Sequence, residues 1–108
     1  MQSVGQVNLK NGGGFVCNLG FQYIDPNTGQ LQVTKFSSDI LLGQSNTQNP
    51  GDLGVPNGAT FFVYVNVVWG TNNLAKQGFI YQSGSPVTAN YVITGTTLDN
   101  TLGLVSVS

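Results

Sequence analysis

The sequence predicts an all-β protein, a single antiparallel β-sandwich of seven to eight strands occupying residues 1–108. Three observations carry that prediction. Strong helix formers are scarce, with no Glu or Arg and a single Met, while Val, Thr, Phe and Tyr recur throughout. Fifteen glycines interrupt the chain at short intervals, and between them apolar residues alternate with a period of two, the repeat of a half-buried strand.

The elements follow in order. Residues 4–9 form a first strand with Val7 and Leu9 on one face, ending at Asn11-Gly12-Gly13-Gly14. Residues 15–24 form the second, where Phe15, Cys17, Leu19, Phe21 and Tyr23 share one face. Asp25-Pro26-Asn27-Thr28-Gly29 reads as a hairpin loop, because proline fixes φ at a turn position and glycine closes it. Residues 30–36 return antiparallel. A short apolar piece at 40–42 leads into residues 43–58, the longest predicted irregular segment, which contains Pro50, Pro56 and Asp52. Loops of that length are usually functional or mobile.

Residues 59–69 contain FFVYVNVVW, the most apolar stretch. Phe61, Val63, Val65, Val67 and Trp69 would share one face, and Phe62, Tyr64 and Val68 make the other largely apolar too. This predicts a central strand covered on both sides, with the second and seventh predicted strands among its neighbours. Gly70-Thr71-Asn72-Asn73 turns the chain, and strands at 76–82, 87–94 and 102–107 complete the sandwich.

Charge excludes more than any motif does. The cations are Lys10, Lys35 and Lys76, the anions Asp25, Asp39, Asp52 and Asp99, and histidine is absent. Three scattered lysines without arginine argue against nucleic acid as a partner, since phosphate contacts and base readout both draw on clustered cations. General acid–base catalysis lacks its usual His or Glu, and nothing points to a paired device, so the chain is read as non-enzymatic. Cys17 stands alone, which leaves no intrachain disulfide and no cysteine zinc site. The 25–29 stretch places oxygens at alternate positions as a calcium loop does, but no Glu closes it, and neither a metal nor a cofactor is expected. Residues 1–5 show no signal-peptide pattern, and no apolar run is long enough for a transmembrane helix, so the sequence assigns no location.

Two kinds of binding remain. Asn, Asp and Gln in loops beside Trp69, Tyr64, Tyr81 and Tyr91 offer the amides and aromatic platform that a sugar needs. Weak charge repulsion and amide-rich strand faces, including Gln30, Gln32 and Asn66, favour a homo-oligomer. The second class is a toxin-like protein that binds or disrupts membranes, to which exposed aromatics and low charge are suited. Direct pore formation fits poorly, because Phe62, Tyr64 and Val68 spoil the polar side of the one strand long enough to span.

Gly43-Gln44-Ser45, then Val55-Pro56-Asn57-Gly58-Ala59, then Gly95-Thr96-Thr97-Leu98-Asp99 resemble a group of small, mostly uncharacterised bacterial β-sandwich proteins with a G-Q-S … P-x-G-A entry and a late G-T-T-L-[N/D] box. The resemblance implies a compact sandwich without known catalytic residues, and no site residue is carried over from it. The functional reading is an uncharged binding or interaction module. Its candidate ligand-binding residues are Asp52 and Asn57 in the long loop and Trp69, Thr71, Asn72 and Asn73 in the following turn. A glycan or a lipid surface is the expected partner, and membrane disruption is the alternative.

Overall fold

The alternating stretches become strand interiors in the computed structural model, which describes residues 1–108. Along the chain lie β1 (Ser3–Val4), β2 (Gln6–Asn11), β3 (Cys17–Ile24), β4 (Leu31–Val33), β5 (Ser45–Gln48), the one-turn helix α1 (Pro50–Leu53), β6 (Thr60–Val67), β7 (Asn73–Leu74), β8 (Phe79–Tyr81), β9 (Thr88–Gly95) and β10 (Asn100–Val107). A six-stranded sheet runs β1-β8-β6-β3-β4 with β7 also paired to β6, and a four-stranded sheet runs β10-β9-β2-β5. The all-β class is as the sequence predicts. The strand count is ten rather than seven to eight, and the sheets are mixed rather than antiparallel, because β1 pairs parallel with β8 and β2 parallel with β9.

The parallel pairings begin at Gly5, and β5 and β7 add the remaining strands. The predicted first strand is cut at that glycine, so that β1 joins one sheet and β2 the other. The amides of Gly5 and Gln6 both donate to the Val87 carbonyl, at 2.9 and 3.2 Å. A Cβ at position 5 would overlap the Ser85 carbonyl, so only glycine lets the chain change sheets at this point.

β6 is an interior strand, as its composition predicts. It pairs antiparallel with β3 over seven residues, from Tyr23 opposite Phe61 to Cys17 opposite Val67. Its other edge carries β8 and β7, so the predicted neighbour at 87–94 is corrected: that segment is β9 of the opposite sheet. Phe61, Val63, Val65 and Val67 are buried against residues of both sheets in one core. Phe21 meets Phe61 edge-on at 5.3 Å between ring centroids, a favoured aromatic geometry. The outer face of β6 is half-buried, covered locally by Phe36, which packs edge-on against Tyr64 at 5.9 Å.

Residues 43–58 are not an irregular loop. Ser45–Gln48 pair with β2 as an edge strand. Asn49 then caps α1, its side-chain oxygen accepting from Gly51 N at 3.0 Å, with Pro50 in the first turn. Proline costs nothing there, because that N–H has no helical partner anyway.

Candidate functional site

Four turns converge at one end of the sandwich: residues 12–16, 41–44, 68–72 and 95–99. Asn11, at the end of β2, organises two of them. It is fully buried and satisfied three ways, with Nδ2 donating to the Phe15 and Ile40 carbonyls at 2.6 and 2.9 Å and Oδ1 accepting from Gly13 N at 2.9 Å. The Asn11 carbonyl also accepts from Gly43 N at 2.7 Å, which fixes the 41–44 turn beside it. Gly14 N donates to the Gly95 carbonyl at 3.0 Å and ties in the 95–99 turn.

β6 leaves the sheet at Val67, two residues earlier than predicted. The Val67 carbonyl accepts from Gly70 N at 3.1 Å, which closes a tight turn with Val68 and Trp69 at its corner. Asn72 braces this turn, with Oδ1 accepting from Val67 N at 2.9 Å. Trp69 is the only residue other than glycine with positive φ, at 62°. The left-handed region is unfavourable for a bulky side chain, by roughly 1–2 kcal/mol. Trp69 is 95% exposed. The placement of its ring on the core face is therefore corrected: alternation stops where the turn begins, and the indole points into solvent.

The neighbouring turn presents Leu98, 75% exposed. Thr96 N donates to the Asp99 carbonyl at 2.9 Å, and Gly95 takes φ 107°, where a Cβ would overlap that carbonyl. The two turns are bonded to each other. Thr71 N donates to the Thr97 carbonyl at 2.8 Å, and Asn100 Nδ2 returns a bond to the Thr71 carbonyl at 2.8 Å. Asn73 Nδ2 reaches Asn100 Oδ1, also at 2.8 Å. Gly70 lies so close to Thr97 that a Cβ would overlap its carbonyl. Leu41 and Leu42 are exposed in the adjoining turn. Trp69, Leu98, Leu41 and Leu42 thus stand out from one end of the domain on backbone that hydrogen bonds hold in place.

Of the candidate residues, Trp69, Thr71, Asn72 and Asn73 share this end. Asn72 and Asn73 spend their amides on bracing it. Asp52 and Asn57 do not join them. Asn57 accepts from Ser83 N at 2.8 Å and Asp52 lies exposed in α1, both beyond the start of β6, whereas Trp69 follows its end. Among the aromatics offered as a sugar platform, Tyr81 and Tyr91 are buried, Tyr64 is half-buried, and only Trp69 is free. Leu98 is the residue that composition did not single out. Its signal was a large apolar side chain between Thr97 and Asp99 in a polar turn.

No group of three or more metal-ligating side chains comes together, and no helix is long and apolar enough to cross a membrane. Burial pushes the Cys17 thiol up to about 11, so it stays an inert thiol packed in the core.

No family model matches the chain, and no curated protein matches it. Solved structures match in fold. The membrane-binding domain of pneumolysin is similar over 94% of this chain and 96% of its own length, with a TM-score of 0.51 and 13% identity. Listeriolysin O is similar over 94% of this chain, with a TM-score of 0.50 and 19% identity, and the chain spans 22% of its length. At such identities the likeness is one of fold.

Proposed function

We propose that this protein is a membrane-surface binding module that docks on lipid through the end formed by the 41–44, 68–72 and 95–99 turns. The observation that carries the reading is Trp69, held in an unfavourable backbone conformation with its indole almost wholly in water. A site that keeps backbone strain in order to display an apolar ring argues for a partner that buries it. Tryptophan suits the boundary between headgroups and acyl chains, where its ring is apolar and its N–H still finds water. The sandwich fold shared with the membrane-binding domain of pneumolysin supports the same reading.

Magnitudes favour a contact made by all four side chains. Burying one large apolar side chain is worth roughly 1.5–3 kcal/mol. Scaled by their exposure, Trp69 and Leu98 alone would give about 3–5 kcal/mol, a millimolar-class contact, while adding the partly buried Leu41 and Leu42 brings it to about 4–9 kcal/mol, reaching the micromolar range. Burial of apolar surface is the driving force, because Asp99 is the sole charged residue in the 12–16, 41–44, 68–72 and 95–99 turns. Binding should therefore be insensitive to salt and no stronger on anionic than on zwitterionic vesicles. The mode is peripheral. The apolar faces of the long strands are already committed to the shared core, so no strand is free to span a bilayer without unfolding the domain.

Self-association belongs to the same reading, since a lipid surface concentrates bound copies. β4 lies at the edge of its sheet with Leu31 and Val33 exposed and offers an edge for pairing. Co-sedimentation with zwitterionic vesicles at low and high salt tests the proposal. Binding that survives high salt is expected. Protein that stays in the supernatant at every lipid composition would sink it, and a saturable glycan interaction at Trp69 would move the reading to carbohydrate.

A further inference from the structure

A second feature lies just inside the docking end, where the two sheets part between β7 and β10. There a cleft of about 380 Å³ opens to solvent, a size within the range of small-molecule sites. Leu74, Ala75, Leu102 and Leu104 supply apolar walls, and Lys76 is the only charged residue lining it. Tyr91 of β9 lines the cleft from within the core and is only 3% exposed, its hydroxyl closed off from water, so a ligand reaches it only as the cleft wall gives way.

The Tyr91 hydroxyl is the one buried side-chain polar atom in the molecule without a hydrogen-bond partner. Elsewhere the interior is satisfied; Asn11 and Asn18, for example, are fully engaged. A lone unpaired hydroxyl destabilises a fold, and phenylalanine would fill nearly the same space without that cost. Burial also pushes the Tyr91 pKa up to about 12, so near neutral pH the group is an intact O–H with a proton to donate. None of the amides lining the cleft accepts from it, and the bond between Asn73 Nδ2 and Asn100 Oδ1 runs past it.

We propose that this cleft binds an aliphatic monocarboxylate, with its chain among Leu74, Leu102 and Leu104 and its carboxylate accepting a hydrogen bond from Tyr91 and facing the Lys76 ammonium. The chemistry of the lining selects this class. A single cation with no carboxylate beside it disfavours cationic ligands. A sugar would need an open aromatic face, and the cleft offers none, its one aromatic residue being Tyr91. A purely apolar ligand would leave the hydroxyl unpaired. The site does not depend on the membrane reading, since it is reached from solution and uses none of the exposed turn residues.

The test is titration with octanoate below its micelle concentration, in the absence of lipid, followed by calorimetry and by the NMR shifts of the Tyr91 ring. Saturable 1:1 binding that moves those shifts is expected, with octanol about tenfold weaker and octylammonium not binding, a charge-assisted hydrogen bond being worth about that factor. Tyr91→Phe should weaken octanoate about tenfold while melting at the same or a higher temperature, which shows that the variant is folded. Lys76→Gln should bring octanoate down toward octanol, and Trp69→Ala should change nothing. Failure to saturate with octanoate, equal binding by Tyr91→Phe, or octylammonium binding as tightly as octanoate would each overturn the proposal.

Discussion

The two ends of the sandwich are closed by turns of similar composition, rich in Gly, Asn, Thr and Ser, but they do opposite things with apolar side chains. At one end Trp69, Leu98, Leu41 and Leu42 occupy turn positions and face water. At the other, the 25–29, 56–58 and 82–86 turns hold only polar residues, proline and glycine, and the apolar residues left exposed there, such as Ile24 and Leu31, lie on the paired strands of the β3–β4 hairpin. Hydrogen bonding does not separate the ends, since both are well braced: Asn57 accepts from Ser83 N and Tyr81 bonds Asn49 at one, while Asn72, Asn73, Asn100 and Asn11 brace the other. What separates them is where greasy side chains are placed. A turn that exists only to reverse the chain has no need of Trp or Leu, so their presence at one end supports the proposal that this end is a contact surface.

The comparison can be broken first through the scaffold both ends share. Val65 is fully buried in β6, and Val65→Asp would put a carboxylate into the core without a partner; loss of the cooperative thermal transition is the expected result. A folded variant that merely fails to bind vesicles would mean that β6 is not the centre of the core.

Next in size is the contact itself. Trp69→Ala combined with Leu98→Ala should reduce vesicle affinity by about 10²–10⁴-fold with little change in melting temperature, whereas Asp52→Asn with Asn57→Ala, at the opposite end, should leave it unchanged. Parallel vesicle titrations of the two double variants measure the asymmetry directly, and equal losses from both would erase it.

The bracing of the loop end is open to a smaller perturbation. Asn11→Ala strands the Phe15 carbonyl and the Gly13 amide and leaves the Ile40 carbonyl with the Cys17 N–H alone, and should destabilise the fold by about 2–4 kcal/mol in denaturant titration. Because Asn11 holds the 12–16 and 41–44 turns, vesicle binding should weaken as well, even under conditions where the variant is folded.

The smallest effect is on pH dependence. Burial raises Cys17 from 9.0 to about 11 and Tyr91 from 10.0 to about 12. Both groups therefore release protons more readily when the chain is unfolded. Stability should be full below about pH 9 and fall from there to about pH 12 as the unfolded state gains charge that the native core resists. Cys17→Ala should flatten the lower part of that decline in melting curves across the range.

Much of this architecture was legible in the sequence because period-two alternation reports burial directly. Phe21 and Leu19 in β3, the odd-numbered residues of β6, and Ala89, Tyr91 and Ile93 in β9 all lie where alternation places them. Three kinds of feature escaped. Ser45–Gln48 contain no apolar residue, and they form a strand only because the free edge of β2 offers them partners. The parallel pairings depend on a sheet change at Gly5, and a local pattern cannot express which distant strand will lie alongside. α1 did have a signal, Asn49 followed by Pro50, but a one-turn helix carries too little periodicity to stand out from loop. The site was half visible. Trp69 and the amides after it drew notice by composition, while the break in alternation at Val68 that turns the indole outward, and the pairing of its turn with the distant turn that carries Leu98, are products of tertiary structure.

Trp69 is the only tryptophan in the chain, so intrinsic fluorescence reports on that one position. Emission spectra recorded while zwitterionic vesicles containing lipids brominated along the acyl chain are added test the central claim most directly. A blue shift with quenching that deepens as the bromine lies nearer the headgroups is predicted, with Trp69 lodged at the interface. An unchanged spectrum under conditions where the protein co-sediments with the vesicles would contradict it, because the membrane would then be meeting some other face of the molecule.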